Sequence, residues 1–241
     1  VAIVTGGAHR LGKAFAITLA RMGYNLLLHY HTAKEQAQQT KSEIESLGVN
    51  VHLFQADLTQ PDQIHSLFSE LDFILHNSRE AFILSLVLNS AAIMPVGDPS
   101  ELELQDWDSA LDLNLRAPFL LAQAAAKRMT TGGLIVNISD IAAQKAWSRY
   151  PSYTVSKAAL ESLTKLLARS LAPKIRVNAI APGLVLQSDI VTQEEWDKLI
   201  NRLPLKRPAA PGEITSALEF LIKNEYITGQ TIVVDGGYSL L

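Results

Sequence analysis

A tyrosine and a lysine stand four residues apart in the second half of the chain, Tyr153 and Lys157. Side chains with this spacing share one face of a helix, and the preceding Pro151 and Ser152 suit a helix start. A phenol, with an ordinary pKa of ~10, is a weak acid at neutral pH, and a neighbouring ammonium group lowers that pKa by stabilising the phenolate. The pair therefore predicts a proton donor for general acid catalysis.

Further polar residues precede this pair. A predicted strand ends at Asn137, Ser139 and Asp140, and a separate segment supplies Asn114. A Tyr-x-x-x-Lys spacing alone is common on exposed helices. The expected convergence of several polar groups at one sheet edge favours a catalytic site instead.

A glycine-containing turn follows the first apolar run, with Gly6 and Gly12 on either side of Arg10. A strand, such a turn and a helix start direct free backbone N–H groups and the positive end of a helix dipole at a phosphate. The spacing departs from G-x-G-x-x-G because Arg10 stands where a glycine is expected, and its guanidinium adds a cation near a pyrophosphate. The turn predicts a dinucleotide site, and the alternative is a tight strand-to-helix turn with a solvated arginine.

The end of the next strand indicates which dinucleotide binds. An acidic residue about 20 positions on would bind the ribose 2′-hydroxyl of NAD. The segment His29-Tyr30-His31-Thr32 contains none, and the first carboxylate is Glu35. Imidazole, hydroxyl and lysine groups can bind a 2′-phosphate, which favours NADP, unless the histidines only form the strand end and its cap. After the third strand, Asp57 can accept from an adenine amino group or cap the next helix.

The composition narrows the class of protein. The chain has 241 residues, of which 48% are hydrophobic and 19% charged, and a formal net charge of −3. It can bury a large core, and it has no basic block that would support binding to nucleic acid or an anionic membrane. No apolar stretch approaches the ~20 residues of a membrane span. We therefore expect a protein that acts on a small molecule.

The cysteine and histidine content narrows the chemistry further. The chain has no cysteine, which excludes disulfides and thiolate metal sites and suits a reducing compartment. We expect a cytoplasmic protein. The six histidines lack the spacing of a metal site, so we expect no catalytic metal.

Short apolar runs alternate with longer amphipathic segments along the whole chain. Near-continuous apolar runs are typical of parallel strands covered on both faces. The alternation predicts an α/β fold in one domain over residues 1–241, a doubly wound sheet with helices on both faces. The seven predicted parallel strands are residues 1–4, 24–29, 51–54, 83–88, 134–138, 175–180 and 231–234.

Two apolar stripes at helical spacing predict crossover helices. The first consists of Phe15, Leu19 and Met22, and the second of Val155, Ala159, Leu163, Leu166 and Ser170. Residues 71–79 give a weaker helical signal. Residues 184–191 have little periodicity and are interpreted as a loop.

These motifs together resemble the short-chain dehydrogenase/reductase family across essentially the whole chain. The resemblance implies a Rossmann-type NADP-binding enzyme, usually a homotetramer. It implies that Tyr153 is the general acid and that Lys157 holds the nicotinamide ribose and lowers the tyrosine pKa. The matching segments are Thr5-Gly6 to Gly12, Asp57, Asn89-Ser90-Ala91-Ala92, Asn114, Tyr153 with Lys157, Arg176-Val177-Asn178, Pro182-Gly183 and Asp235-Gly236-Gly237.

The resemblance also implies roles for other residues. Asn114 would anchor a water in the proton relay, Pro182 and Gly183 would flank the nicotinamide, and Asn89 and Ala91 would line the adenosine side. The implied cofactor-binding residues are Gly6, Arg10, Leu11, Gly12, His29, Tyr30, His31, Thr32, Ala56, Asp57, Leu58, Asn89, Ala91, Tyr153, Lys157, Pro182, Gly183 and Leu184.

One departure from the family pattern concerns the substrate. The family has a serine thirteen residues before the tyrosine, where this chain has Asp140, and Ser139 is one position early. A one-residue shift at a strand end turns a side chain to the opposite face, so Ser139 is a poor replacement. A neutral hydroxyl suits a carbonyl substrate, whereas a carboxylate can relay a proton to the nitrogen of a C=N bond. The departure predicts an imine-like substrate.

The chain is similar in these departures to the pteridine reductase branch of the family. The resemblance implies an oxidoreductase that transfers hydride from NADPH to a C=N bond of a pteridine, with protons delivered through Tyr153 and Asp140. Met94 stands where the branch commonly has an aromatic residue. The shared features are Arg10, His29-Tyr30-His31, Asp140, Tyr150 and residues 234–240, and the implied substrate contacts are Arg10, Met94, Asp140, Tyr150 and Tyr153.

Two other functions are compatible with the same residues. The first is an NADPH-dependent carbonyl reductase, such as one acting on a 3-oxoacyl carrier protein. The second is a regulator that binds NADP without turnover, although the complete set of Asn114, Tyr153 and Lys157 favours an enzyme.

Overall fold

The computed structural model describes residues 1–77, 82–188 and 191–241. Within these residues the strands are β1 (Ala2–Thr5), β2 (Leu26–Tyr30), β3 (Val51–Gln55), β4 (Leu86–Asn89), β5 (Gly133–Ile138), β6 (Ile175–Pro182) and β7 (Thr231–Val234). The α-helices are α1 (Arg10–Arg21), α2 (Lys34–Glu45), α3 (Pro61–Asn77), α4 (Leu104–Leu111), α5 (Ala117–Ala126), α6 (Pro151–Leu171), α7 (Gln193–Arg202) and α8 (Pro211–Lys223). A π-helical turn, Asp112–Arg116, joins α4 to α5, and 3₁₀ turns occupy Ile141–Gln144 and Tyr238–Leu240.

The described strands form one parallel sheet in the order β3-β2-β1-β4-β5-β6-β7. This confirms the predicted seven-stranded doubly wound fold. The chain runs outward from β1 in one direction and from β4 in the other, so the carboxyl ends of β1 and β4 flank the switch point where such sheets bind ligands.

The strands are apolar because both sheet faces are covered. Ala2, Val4 and Leu28 point to one side, where they join a core with residues of α1 and α8. Ile3 and Leu27 point to the other side and pack with residues of α3, α5 and α6. Successive side chains of a strand alternate between faces, so a strand buried on both faces has no polar alternation.

Several strand ends differ from the predicted bounds. β2 begins at Leu26 rather than at 24, and β4 begins at Leu86 rather than at 83, because the preceding residues pair outside the regular ladder. The main-chain N–H of Ala2, for example, donates to Asn25, just before β2. β6 runs two residues beyond 180, to Pro182.

The second predicted helix is present as α6, and most of its apolar stripe is exposed, although Leu163 packs against the core. Val155 is 45% exposed and Leu166 59% exposed, three turns apart on the outward face. The buried face includes Tyr153, Lys157 and Thr164. The stripe thus predicted the helix correctly but does not mark its buried face, which contains polar as well as apolar residues.

The two weaker segments are also partly described. Helix α3 continues through residues 71–77, and residues 78–79 lie outside the described part of the chain. Residues 184–188 and 191 form no regular element, as expected for a loop, and 189–190 are outside the described residues. Among the described residues, no helix is both long and apolar enough to cross a membrane.

Candidate active site

A cleft of about 690 Å³ opens at the carboxyl ends of the strands. Its volume lies in the range of small-molecule and cofactor sites, about 300–1,000 Å³. Seventeen of the residues expected at the site line it, namely Gly6, Arg10, Leu11, Gly12, His29, Tyr30, His31, Thr32, Ala56, Asp57, Leu58, Ala91, Asp140, Tyr153, Lys157, Pro182 and Gly183.

The glycine turn forms one end of the cleft, and it leaves no space for a side chain at Gly6 or at Gly12. Gly6 has a φ of +63°, in the left-handed region, and a Cβ there would lie 2.9 Å from the Cα of Ala91. A Cβ on Gly12 would overlap the carbonyl oxygen of Gly6. The following helix α1 has no side-chain cap and no acidic residue in its first turn. Its first N–H groups and dipole therefore face the cleft without competition from a carboxylate.

Arg10 joins this turn to the loop after β6. It has a φ of 52°, an unusual conformation for a residue other than glycine. Its guanidinium donates to the carbonyl oxygen of Leu186 at 3.0 Å and to that of Gln187 at 3.1 and 3.2 Å. The cation expected near a pyrophosphate thus lies on the cleft wall and also holds residues 186–187.

His29 occupies a different place from the one expected of a phosphate-binding histidine. The side chain is buried, with 2% exposed. Its Nδ1 accepts from the N–H of Gly6 at 3.1 Å, so Nε2 carries the proton and donates to the carbonyl oxygen of Ala56 at 3.0 Å. Burial lowers the pKa of His29 to about 4. The neutral imidazole therefore braces the glycine turn against the end of β3, and neither ring nitrogen is free for a phosphate.

The rim of the cleft next to His29 is open to solvent. His31 and Thr32 are exposed and line the cleft beside Tyr30. Asp57 lies opposite, where its Oδ1 accepts from both the N–H and the hydroxyl of Thr59. Burial raises the pKa of Asp57, but these two hydrogen bonds together with the neighbouring His31 and His29 lower it overall. Asp57 thus shapes the turn before α3 and lines the cleft as well.

The catalytic end of the cleft brings together Asp140, Tyr153 and Lys157. The hydroxyl of Tyr153 donates to Asp140 Oδ2 at 3.0 Å. Lys157 Nζ donates to the carbonyl oxygen of Ile138 at 2.7 Å and lies 5.5 Å from the centre of the Tyr153 ring. Both Tyr153 and Lys157 are buried, whereas Asp140 is partly exposed to the cleft.

The pKa values differ from the expectation that Lys157 lowers the pKa of Tyr153. Burial and the Asp140 carboxylate raise the pKa of Tyr153 well above 10. Burial raises the pKa of Asp140 despite its hydrogen bonds and the nearby ammonium. Burial lowers the pKa of Lys157 to about 8, although Asp140 opposes this shift. The phenol therefore holds its proton firmly and donates it in a hydrogen bond to Asp140.

Ser139 points away from this group. It is 2% exposed, and its hydroxyl donates to Glu161 Oε1 on α6 at 3.1 Å. The adjacent Asp140 faces Tyr153 instead. Successive residues at a strand end face opposite ways, so the carboxylate and not the hydroxyl stands beside the phenol.

Asn114 lies behind the cleft wall. It belongs to the π-helical turn, a type of irregularity often found at functional sites. Its amide oxygen accepts from the N–H of Ile93 at 3.0 Å, and its amide nitrogen donates to Ile93 O at 2.9 Å and to Ser156 Oγ at 3.0 Å. Asn114 thus fixes Ile93, a residue that lines the cleft.

Four more expected residues lie outside the cleft lining. Asn89 is buried and donates to Asn137 at 2.8 Å, so its side chain faces the neighbouring strand. Leu184 packs with the apolar cluster that contains Tyr238. Tyr150 stacks edge-on against Trp147, with ring centres 6.4 Å apart. Met94 is half-buried and does not line the cleft.

The sequence analysis missed other residues at the site. Ser90 and Ala92 lie two and four residues beyond the predicted fourth strand, and Thr59 lies two residues after Asp57, so their positions were a usable signal. Ser109 and Leu113 come from α4 and the π-helical turn, for which the strand pattern gave no signal. The lining residues that were not among the expected catalytic, cofactor-binding or substrate-binding residues are Ala8, His9, Ala33, Thr59, Ser90, Ala92, Ile93, Ser109, Leu113, Ile138, Ser139, Val185 and Leu186. Within the described ranges, no group of three His, Asp or Glu side chains could hold a metal ion.

Comparison with known proteins identifies the class. The sequence profile described as enoyl-(acyl carrier protein) reductase, of the short-chain dehydrogenases, matches residues 6–239. The chain belongs to the short-chain dehydrogenase/reductase family of oxidoreductases.

Individual relatives have different named activities. A 3-oxoacyl-(acyl-carrier-protein) reductase of Staphylococcus aureus is 32% identical over 243 residues, which cover 98% of this chain and 96% of the relative. Glucose 1-dehydrogenase 2 of Bacillus subtilis is 32% identical over 99% of this chain and 94% of its own. The crystal structure of FolM alternative dihydrofolate reductase 1 from Brucella suis, in complex with NADP, is 33% identical with a TM-score of 0.90 and covers 100% of this chain and 95% of that chain.

Proposed function

We propose that this chain is an NADPH-dependent reductase that adds hydride to a C=N bond of a pteridine, with Tyr153 as general acid and Asp140 assisting. The observation that supports a C=N substrate is the hydrogen bond between the Tyr153 hydroxyl and Asp140. A carboxylate at this position repels the alkoxide that forms when a C=O bond is reduced, whereas it attracts the cation that forms at a protonated C=N bond. The similarity to a dihydrofolate reductase that binds NADP supports the same substrate class.

The glycine turn supports the choice of a dinucleotide cofactor. The uncapped N–H groups at the start of α1 are suited to a pyrophosphate, since no Cβ at Gly6 or Gly12 stands in the way. His31 and Thr32 at the open rim are the groups for a 2′-phosphate, and Lys157 is the group for the nicotinamide ribose. When bound, NADPH supplies the hydride.

The protein's own residues supply the protons. When hydride adds to the carbon of the C=N bond, the nitrogen becomes a stronger base than a phenolate, so the Tyr153 hydroxyl can donate its proton to it despite the raised pKa of the phenol. The ammonium group of Lys157 lies 5.5 Å from the centre of the ring that then carries the negative charge. Asp140 has a raised pKa, so it can hold the proton for another ring nitrogen when a second C=N bond is reduced with a second hydride from NADPH. Because Asp140 is partly exposed, it can recover that proton from solvent.

The alternative is an NADPH-dependent carbonyl reductase, such as one acting on a 3-oxoacyl carrier protein. The relative from Staphylococcus aureus, which matches nearly the whole chain, favours it. The two functions share the cofactor and Tyr153, and they differ in what Asp140 contributes.

The test compares substrates directly. The purified protein is incubated with NADPH and either dihydrofolate, dihydrobiopterin or a 3-oxoacyl thioester, and the loss of NADPH absorbance is recorded. We expect turnover with a dihydropterin compound and little with the thioester. Preference for the thioester would establish the alternative, and turnover with NADH equal to that with NADPH would contradict the choice of NADP.

The variant Asp140→Ser sharpens this test. If the carboxylate serves a C=N substrate, pteridine reduction by the variant falls about a hundredfold to ten-thousandfold, the range of a positioned acid or base. Retained pteridine reduction together with improved ketone reduction would favour the carbonyl reductase. Asp140→Asn keeps the side-chain size but removes both the charge and the ionisable proton, so it should lose pteridine reduction as Asp140→Ser does.

We also propose that the chain assembles as a homotetramer, as the family resemblance implies. The exposed Val155 and Leu166 on α6 support self-association, because they form an apolar outward face. Light scattering after size-exclusion chromatography measures the mass, and a monomer at micromolar concentration would contradict this assembly.

A further inference from the structure

Three consecutive residues at the carboxyl end of β5 bind three residues on one face of α6. Their partners, residues 153, 157 and 161, are spaced by four, so they succeed each other along the helix turn by turn. The hydrogen bonds are Tyr153 Oη to Asp140 Oδ2 (3.0 Å), Lys157 Nζ to Ile138 O (2.7 Å) and Ser139 Oγ to Glu161 Oε1 (3.1 Å). Two of the three helix residues are the candidate catalytic pair, and the third, Glu161, has no role in the proposed function.

Glu161 holds both ends of the short turn that contains Asp140. Its carboxylate accepts from Ser139 before the turn, and the side chain of Gln144 after the turn is close enough to lower the pKa of the Glu161 carboxyl group. Between these points, Asp140 Oδ1 accepts from the N–H of Ala142 at 2.8 Å, which starts the 3₁₀ turn. Movement of either end would therefore shift Asp140 relative to Tyr153.

The Glu161 carboxyl group is half-buried, so its stability in the charged form depends on Ser139 and Gln144. Burial raises its pKa, and the hydrogen bonds from Ser139 and Gln144, together with Lys165, oppose that shift. A carboxylate removed from water needs such donors. In return, it keeps the Ser139 hydroxyl turned away from the cleft, so that a neutral hydroxyl does not replace the Asp140 carboxylate beside the phenol.

We propose that Glu161 is a positioning residue that clamps residues 139–144 and thereby sets Asp140, rather than Ser139, against Tyr153. This proposal rests on the proposed function, in that Asp140 takes part in catalysis. According to this proposal, Glu161 favours reduction of a C=N bond over reduction of a C=O bond, although it does not contact the substrate.

The test is a double-mutant cycle on pteridine reduction. Glu161→Leu removes both acceptor contacts, and we expect kcat/KM to fall about tenfold to a hundredfold, as misplacement of a catalytic group by about 1 Å can cost. Glu161→Gln keeps an acceptor oxygen and should recover most of the activity. In an Asp140→Ser background, Glu161→Leu should change kcat/KM less than about twofold, because a residue that acts through Asp140 has nothing left to position.

Two further variants test the hydrogen bond between Ser139 and Glu161 and provide a control. Ser139→Ala removes the other half of the hydrogen bond and should lower activity in the same direction as Glu161→Leu. Glu219→Leu is the matched control: Glu219 is also a half-buried glutamate within a helix, paired with Lys223 four residues on, and its loss should leave kcat/KM unchanged. An equal loss from Glu161→Leu with and without Asp140 would overturn the proposal.

A second measurement keeps this proposal separate from the proposed function. In protein labelled with carboxyl-¹³C aspartate, the Asp140 signal is assigned with Asp140→Asn and titrated by NMR without substrate or cofactor. The charged or titratable groups facing Asp140 are Tyr153 and Lys157 of α6 and Tyr238 of the C-terminal 3₁₀ turn. Glu161→Leu should move the pKa of Asp140 down towards its ordinary value as the carboxyl leaves its buried position. If the pKa of Asp140 is unchanged in Glu161→Leu, the positioning role of Glu161 is overturned, whether or not the protein reduces a pteridine. If the pKa shifts but the protein reduces no pteridine, only the proposed function is overturned.

Discussion

The glycine turn after β1 and the turn after β5 lie at the same edge of the sheet, yet they are built differently. The first presents main-chain groups, packed so closely that a Cβ on Gly12 would overlap Gly6 O. The second presents polar side chains that are held by α6: Asp140 is hydrogen-bonded to Tyr153, and Ser139 is hydrogen-bonded to Glu161. A substitution in the first should therefore disturb the fold and cofactor affinity, whereas a substitution in the second should disturb chemistry and leave the fold intact.

The largest expected effect is that of Tyr153→Phe. The ring is kept and only the donated proton is lost, so kcat should fall about a thousandfold, within the range of general acid catalysis. NADPH affinity, measured by fluorescence titration, should change little. Wild-type turnover in this variant would show that another group is the acid. A thousandfold loss of NADPH affinity would show that Tyr153 serves cofactor binding as much as chemistry, contrary to the comparison above.

A smaller effect is expected for Gly12→Ala. The added methyl group meets main-chain atoms that cannot rotate away, so the free energy of unfolding should fall by about 1–3 kcal/mol and NADPH binding should weaken. The matched control is Gly212→Ala in α8, where a Cβ meets nothing within 4 Å. That variant should be neutral or slightly more stable, because alanine is the better helix former. Equal stability of both variants in urea denaturation would contradict the close packing.

The His29 brace makes the glycine turn sensitive to acid. Its pKa is about 4 in the folded protein, against 6.5 ordinarily, so between these values the unfolded chain binds a proton that the folded chain does not. Stability contributed by the neutral ring is therefore complete above pH 6.5 and is lost as the pH falls, by about 2 kcal/mol at a pH near 5. His29→Gln should flatten this slope in urea denaturation at several pH values. His52→Gln, on the exposed part of β3, should not.

The smallest expected effect is a fall of kcat/KM at alkaline pH, caused by deprotonation of Lys157. Lys157 loses its proton at a pH of about 8, below the range where Tyr153 ionises. The pH profile of kcat/KM reports groups of the free enzyme, so it should fall above pH 8, about tenfold per unit. Asp140→Asn removes the charge that raises the Lys157 pKa and should move this limb to lower pH. A profile that stays flat well above pH 8 would show that the ammonium is dispensable.

The fold was largely predictable from sequence because its strands are buried on both faces. Continuous apolar runs located every strand of the sheet to within a few residues. The same reasoning failed for α6, since the apolar Val155 and Leu166 are exposed and the polar Tyr153, Lys157 and Thr164 are buried. A helix that supplies a functional site departs from the simple rule that apolar faces turn inward.

The site was predictable where residue type determines the role, and less so where neighbours determine it. The spacing of Tyr153 and Lys157 indicated a shared helix face, and the strand register indicated that Ser139 and Asp140 point opposite ways. Residue type alone suggested that His29 meets a phosphate, but the N–H of Gly6 and the carbonyl of Ala56 take both ring nitrogens. Such partners come from other strands, and their approach is a property of the folded chain.

The π-helical turn at Asp112–Arg116 sets the phase between α4 and α5. A π-helical turn accommodates one more residue than an α-helical turn, and one residue corresponds to a rotation of roughly 100° about the helix axis. Deleting a single residue from this segment would let α4 and α5 merge into one uninterrupted helix and would swing the amide of Asn114 away from Ile93. The location of this one-residue insertion therefore determines which side chain of the segment meets Ile93.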